Sequence, residues 1–510
     1  MELELKQECL DTYEPGGELT LTQEESVETI VPDSCPDMAR IISTQGTVFL
    51  HSREVRDGRA EVTGTVRFTV LYTPEKEGGV RALNFALPFT AAGDENALPG
   101  CRNLTAETKI EFLESRMLNP RKIFTHCRLT TRLTGYQRSA LCFASDAEAE
   151  EALGVQKRQE RQKAIVLTEI TGKDFTFTEE LNLSPGRPGA VELLCSEICP
   201  SVTETKLVGT KLIFKGMFRF SLLYRTAEGA CAPFSGELPF SQIMETEGNG
   251  EDTDLQLQLT GADLHINGDD PEGRRIAVSL YFHATALLSR PQEVTLLSDL
   301  YSTAFETQYE AAPLTLTAFR ETFLRRQMVR EVLEIGTAAE TILSATVRCG
   351  AVSVSREEES VTLRTSAAVA VLYLDEGGVP LMTERTLEVS CQMDLPTDCR
   401  VTARAVCPEE VQSSLGARGI EVRFPVDFRV EAASRVKRVC ISAARLTPES
   451  GEDAAHVPSL VLRCLGSQET AWDLAKRYHT TIPAILSANR LESEGDLPRD
   501  RLLLIPRKRA

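Results

Sequence analysis

Apolar and polar residues alternate with a period of two through Arg59-Ala-Glu-Val-Thr-Gly-Thr-Val-Arg-Phe-Thr-Val-Leu-Tyr72. That is the pattern of a strand with one face buried. Asp57-Gly58 ahead of it is a hairpin-turn pair, and Glu77-Gly-Gly79 after it predicts a second turn, as does Glu376-Gly-Gly378. Ile276–Leu288 and Ile420–Val430 alternate in the same way. Pro425 lacks an N–H, so the second of these is expected at a sheet edge or a bulge. Two stretches predict helix instead. Residues 145–162 are rich in Ala, Glu, Gln, Lys and Arg, and a second helix is expected over Phe319–Glu334.

The strand pattern repeats. Gly64-Thr-Val-Arg-Phe-Thr-Val-Leu-Tyr72 recurs as Gly216-Met-Phe-Arg-Phe-Ser-Leu-Leu-Tyr224 at an offset of 152, and more weakly as Thr365-Ser-Ala-Ala-Val-Ala-Val-Leu-Tyr373 at 301. Pro36 aligns with Pro188, and Ile41-Ile42 with Leu193-Leu194 and Ile342-Leu343. Leu87-Pro-Phe-Thr90 matches Leu238-Pro-Phe-Ser241, and Leu387-Glu-Val-Ser390 stands there in the third copy. Steady offsets imply copies of one supersecondary unit. The chain is therefore read as mainly β: three tandem sandwich-like repeats over 1–160, 161–312 and 313–446, with Tyr72, Tyr224 and Tyr373 at equivalent places.

The tail breaks this pattern. Thr447–Pro458 is polar and acidic, and a linker is expected over 447–459. Beyond it, Val461–Leu465 predicts a strand, and Thr470-Ala-Trp-Asp473 a capping box opening a helix. A second helix starts near Thr481-Ile-Pro483, and Arg501–Pro506 closes as a strand. The expectation is a small α+β unit, β-α-α-β, over 460–507.

Composition narrows the function. The chain has 510 residues, 56 Lys+Arg, 75 Asp+Glu and a formal charge of −19. Such a balance argues against nucleic acid or an anionic membrane as the main partner. The first residues show no secretory signal and no apolar run is long enough to span a bilayer, so a cytosolic protein is expected. The 14 Cys include no CxxC pair and the 6 His are dispersed. Reduced thiols are expected, with no metal, disulfide or cofactor. No phosphate loop, GxSxG or HExxH occurs, so no enzyme is expected. The acidic runs read as solvated charge. Arg507-Lys-Arg509 falls short of the roughly 4–8 basic residues of a lipid-binding cluster.

The tail resembles a LysM domain through Thr470-Ala-Trp-Asp-Leu-Ala-Lys-Arg-Tyr478, Thr480-Thr-Ile-Pro-Ala-Ile-Leu-Ser-Ala-Asn489 and Leu503-Leu-Ile-Pro506. The repeats resemble the SPOCS domain, with Val31-Pro-Asp-Ser-Cys-Pro-Asp37 ahead of the first copy and Asp299-Leu-Tyr-Ser302 after the second. Three such copies followed by LysM resemble the SipL family of spore-coat morphogenesis proteins. The resemblance implies a non-enzymatic scaffold in the mother-cell cytoplasm, at the forespore surface. It implies docking through the LysM domain to a coat-basement ATPase, stage IV sporulation protein A. The alternative it leaves is binding of peptidoglycan or another N-acetylglucosamine polymer. In either case the groove residues implied are Gln468, Glu469, Thr470, Trp472, Asn489, Arg490 and Leu491. Gln468-Glu469 and Arg499 replace the Gly-Asp and Gly usual in the family, which adds side chains at the rim and favours a protein partner. Trp472 has two readings, a packing residue or an interface anchor.

Overall fold

The computed structural model describes residues 1–56, 59–76, 78–94, 98, 100–416, 418–448, 458–466, 469–498 and 501–507. Asp57-Gly58, Glu77, most of the expected linker, Gln468 and Arg499 lie outside them. The first strand unit runs through β1 (Glu4–Ile30), β2 (Met38–Arg56), β3 (Arg59–Pro74), β4 (Arg81–Asp94), β5 (Asn103–Asn119) and β6 (Lys122–Glu148). The second repeats the order in β7 (Val155–Asn182), β8 (Ala190–Val208), β9 (Lys211–Thr226), β10 (Cys231–Glu245), β11 (Asp252–Ile266) and β12 (Arg275–Ser302). Each unit stacks two antiparallel three-stranded sheets, β1-β6-β5 on β2-β3-β4 and β7-β12-β11 on β8-β9-β10.

The third unit holds the same plan in more pieces: β13 (Glu306–Leu333), β14 (Ala339–Cys349), β15 (Ser353–Glu357), β16 (Ser360–Asp375), β17 (Pro380–Asp394), β18 (Cys399–Val406), β19 (Gln412–Gly416) and β20 (Gly419–Thr447). Here β14 and β15 both pair with β16, and β18 and β19 both pair with β20. The units change over at 149–154 and 303–305, before the divisions drawn at 160 and 312.

Alternation fills the cores. On β9, Phe214, Phe218, Phe220, Leu222 and Tyr224 point inward and meet Phe282 and Leu280 of β12. Each such side chain contributes about 1.5–3 kcal/mol on burial. The long strands reach beyond their own sandwiches. Their outer halves supply Phe143, Leu296, Leu297, Leu300, Leu316, Ile441 and Leu446 to one core shared by all three units. A second shared cluster joins Leu71, Leu223 and Leu372 to Leu194 and Leu343, which are equivalent positions of the repeats. The ring closes where the Leu3 N–H donates to the Ala444 carbonyl at 2.9 Å and the Leu446 N–H to that of Met1 at 2.7 Å.

Three expectations are corrected. Residues 145–162 are not helical: β6 ends, one 3-10 turn covers Glu151–Leu153, and β7 begins. Helix propensity differences stay under about 1 kcal/mol per residue, and pairing with β12 outweighs them. Phe319–Glu334 lies in β13. Its Phe319 and Phe323 sit four apart, which imitates a helical face, but a register shift at Thr317/Phe319 sets the strand phase. Finally, Cys9 and Cys142 form a disulfide, with Cα atoms 4.1 Å apart. Register sets them directly opposite on β1 and β6, which a sequence separation of 133 conceals. Pro425 sits inside β20, opposite Met328 of β13. On its other side β19 ends its pairing at Arg423 and β18 begins at Asp427, so the missing N–H faces a gap.

Candidate docking site on the C-terminal module

Residues 460–506 fold as β21 (Leu460–Arg463), α1 (Ala471–Arg477), α2 (Ile482–Asn489) and β22 (Leu503–Pro506). Thr470 caps α1: its hydroxyl accepts from the Asp473 N–H at 3.3 Å, and Asp473 accepts from the Thr470 N–H at 2.8 Å. Thr481 caps α2 by accepting from the Ala484 N–H at 3.3 Å, with Pro483 in the first turn. Leu465, Leu474, Ala475, Ile485, Leu503 and Ile505 make the small core.

Several expected groove residues are occupied inside this module. Glu469 accepts from the Gly466 N–H at 3.0 Å and from Arg463 and Arg477 at 2.8 Å each. The Gly466 bond first, then the two guanidinium groups, hold its carboxyl below the usual range. Asn489 donates to the Ile485 and Leu504 carbonyls at 2.8 and 2.7 Å and accepts from the Leu504 N–H at 2.8 Å, tying α2 to β22. Arg490 caps α2 at φ 55° and is exposed. Leu491 packs half-buried on the module core. Glu469 and Thr470 open α1, whereas Asn489, Arg490 and Leu491 close α2. Among the described residues the two groups share no hydrogen bond.

Trp472 faces the second repeat. Its indole N–H donates to Asp299 at 2.7 Å, and its ring meets Tyr301 edge-on at 4.9 Å. Lys476 donates to the other Asp299 oxygen at 2.5 Å and to the Tyr309 hydroxyl at 3.0 Å. Burial works against the Lys476 charge, but these two bonds outweigh it and raise its pKa. The Tyr301 hydroxyl donates to the Thr480 carbonyl at 2.8 Å, and His479 Nδ1 lies 3.1 Å from the Ser302 carbonyl. Burial pushes the Tyr301 phenol up.

Asp299, Tyr301, Lys476 and His479 were missed as site residues, although one signal for them was in view. The bulge on β12 that turns Asp299 outward has a counterpart on β6 at Asp146, and each Asp accepts from the next residue's N–H at 2.8 Å. Asp146 is held by Lys157 at 2.7 Å and is followed by Ala147-Glu148 rather than Leu-Tyr. Of these two repeats, only the second therefore offers an acceptor beside an aromatic ring.

Among the described residues no helix is long and apolar enough to cross a membrane. No curated protein matches the chain. Residues 37–118 and 191–267 match the family model described as SipL, SPOCS domain. Both matches cover the second to fifth strands of a repeat, β2–β5 and β8–β11. The chain is thus similar to the SipL SPOCS domain at corresponding places in two tandem repeats.

Proposed function

We propose that this chain is a non-enzymatic scaffold of spore-coat assembly, working in the mother-cell cytoplasm at the forespore surface. The three repeats form its body. The C-terminal module, read as a LysM domain, docks on the coat-basement ATPase, stage IV sporulation protein A, and helps the coat encase the forespore. The observation that carries a protein partner over a sugar is the module's surface. Leu460, Leu462 and Leu502 stand 50%, 59% and 59% exposed on and beside the β21–β22 pair. Glu469 and Asn489, which a sugar would need, are bonded within the module, and the Trp472 N–H is bonded to Asp299. Exposed apolar side chains suit a protein interface, whereas sugar recognition calls for free, convergent polar groups.

The test is capture of the ATPase by the full chain, by residues 1–447 and by Leu462→Asp, alongside sedimentation with peptidoglycan. Capture is expected for the full chain and lost in both variants, with no retention on the polymer. Retention on peptidoglycan, with ATPase capture unchanged in Leu462→Asp, would replace this reading with the glycan-binding one.

A further inference from the structure

The three repeats differ on one exposed edge. In each, the first long strand is an outer strand of its sheet: among the described residues β1 pairs only with β6, β7 only with β12 and β13 only with β20. The outward positions of β1 are Thr20, Thr22, Glu24, Ser26, Glu28 and Ile30. Those of β7 are Asp174, Thr176, Thr178 and Glu180. On β13 they are Leu324, Arg326, Met328, Arg330 and Val332. Leu324 is 61% and Met328 52% exposed, and Ile30 of β1 is 69% exposed. Natural edge strands are normally blunted by charge. Here the β1 and β7 edges carry acids and the β13 edge is basic and apolar; the acids of β1 stand four residues apart, as the arginines of β13 do, whereas those of β7 stand six apart.

We propose that the β13 edge is an interaction surface for the β1 edge of a second copy of this chain. The two sequences are complementary in an antiparallel register. Setting Ser26 opposite Met328 places Glu24 opposite Arg330, Glu28 opposite Arg326 and Ile30 opposite Leu324. All fall on one face, because directly opposed residues share a face. The pairing adds two opposite-charge pairs and one apolar pair, each contributing about 0.2–1 kcal/mol, on top of the backbone ladder. It also excludes the symmetric alternatives. Two β13 edges would bring arginines together, and two β1 edges glutamates. All four charges already have partners within the chain, Arg330 on Glu421, Glu24 on Arg128, Arg326 on Asp427 and Glu409, and Glu28 on Lys122, but they remain open to solvent, at 74%, 54%, 44% and 53%. The contact joins different strands of different repeats, so it is heterologous. Each copy keeps one unused edge of either kind, and assembly propagates instead of closing as a dimer. The C-terminal module takes no part in it.

Sedimentation of the full chain over a concentration series tests this. The average mass is expected to rise with concentration and fall with added salt. Arg330→Glu alone and Glu24→Arg alone are each expected to weaken association about tenfold. Mixing the two variants should restore it, because each then meets the opposite charge. Circular dichroism of each variant checks the fold. A wild type that stays monomeric at every concentration would overturn the proposal, as would variants that associate like wild type or a mixture that fails to recover.

Discussion

Tyr72 and Tyr224 are wholly buried, and each hydroxyl donates to a proline carbonyl, Pro36 at 3.2 Å and Pro188 at 3.0 Å. Tyr373 holds the equivalent place in the third repeat, but its hydroxyl makes no hydrogen bond among the described residues. Losing a buried hydrogen bond costs about 1 kcal/mol. Tyr72→Phe and Tyr224→Phe are therefore expected to lower stability by about that much each in denaturant unfolding. Tyr373→Phe should change it by less than about 0.5 kcal/mol. Asp299 is the second residue with a sharp expectation, because it accepts from both Trp472 and Lys476. Trp472 is the chain's single Trp, so its fluorescence reports on the contact. Asp299→Ala should shift the emission to the red as the indole meets water, while far-ultraviolet circular dichroism stays unchanged. An unshifted spectrum would mean that the module does not rest on the second repeat.

At the scale of elements, glycine explains why the third copy is the weakest match. Gly64 of β3 lies opposite Phe89 and Gly216 of β9 opposite Phe240. A Cβ at Gly216 would sit 2.5 Å from the Phe240 ring and 2.0 Å from the Ser201 carbonyl oxygen on β8. In the third repeat Thr365 faces Val389, and the strand on its other side is interrupted between Cys349 and Ser353. That gap admits the Thr365 side chain, whose hydroxyl donates to the Gly350 carbonyl at 3.1 Å. Gly216→Ala should cost about 1–3 kcal/mol by overpacking. Adding Phe240→Val is expected not to restore the loss, because the Ser201 carbonyl still obstructs. A double-mutant cycle on unfolding free energy measures this, and full recovery would show that the ring alone excludes a side chain. The strand phase of β3, β9 and β16 was readable from alternation. The ends of β6 and β7 were not, since a stretch of Lys, Arg, Gln and Glu carries no face until β12 supplies one.

Across the whole molecule, the third repeat ties the other two together. Arg400 pairs with Glu18 at 3.1 Å and Arg404 with Glu107 at 3.4 Å, both in the first repeat, while Arg429 pairs with Asp254 in the second. Except for Glu107, these groups border a cavity of about 260 Å³ between the three units. The C-terminal module sits outside this body, and only Tyr301 of the repeats enters its core. Removing residues 460–510 is expected to leave the β circular dichroism intact and to shift the unfolding midpoint of the repeats little. A collapse of the β signal would show that the module is part of the body. Acid should act on the module. The folded pKa values of Glu469 and Asp473 lie below their ordinary values, chiefly through backbone N–H bonds from Gly466 and Thr470. Their stabilisation is full above about pH 4.5 and is lost as pH falls through the lowered values. Trp472 emission should therefore change as pH falls below about 4.5 and through those lowered values.

What the sequence determined alone was everything that depends on neighbours a few residues away. That covers the period-two strands, the repeat offsets, the capping box at Thr470 and Asp473, and the β-α-α-β order of the tail. These follow from local sterics and side-chain spacing. Tertiary structure decided what depends on residues far apart in the chain. Examples are the disulfide across β1 and β6, the shared core of the long strands, the gap that tolerates Pro425, and the seat of Trp472 on Asp299. In each case the deciding partner lies more than a hundred residues away or in another strand, and a one-residue change of register would have removed it.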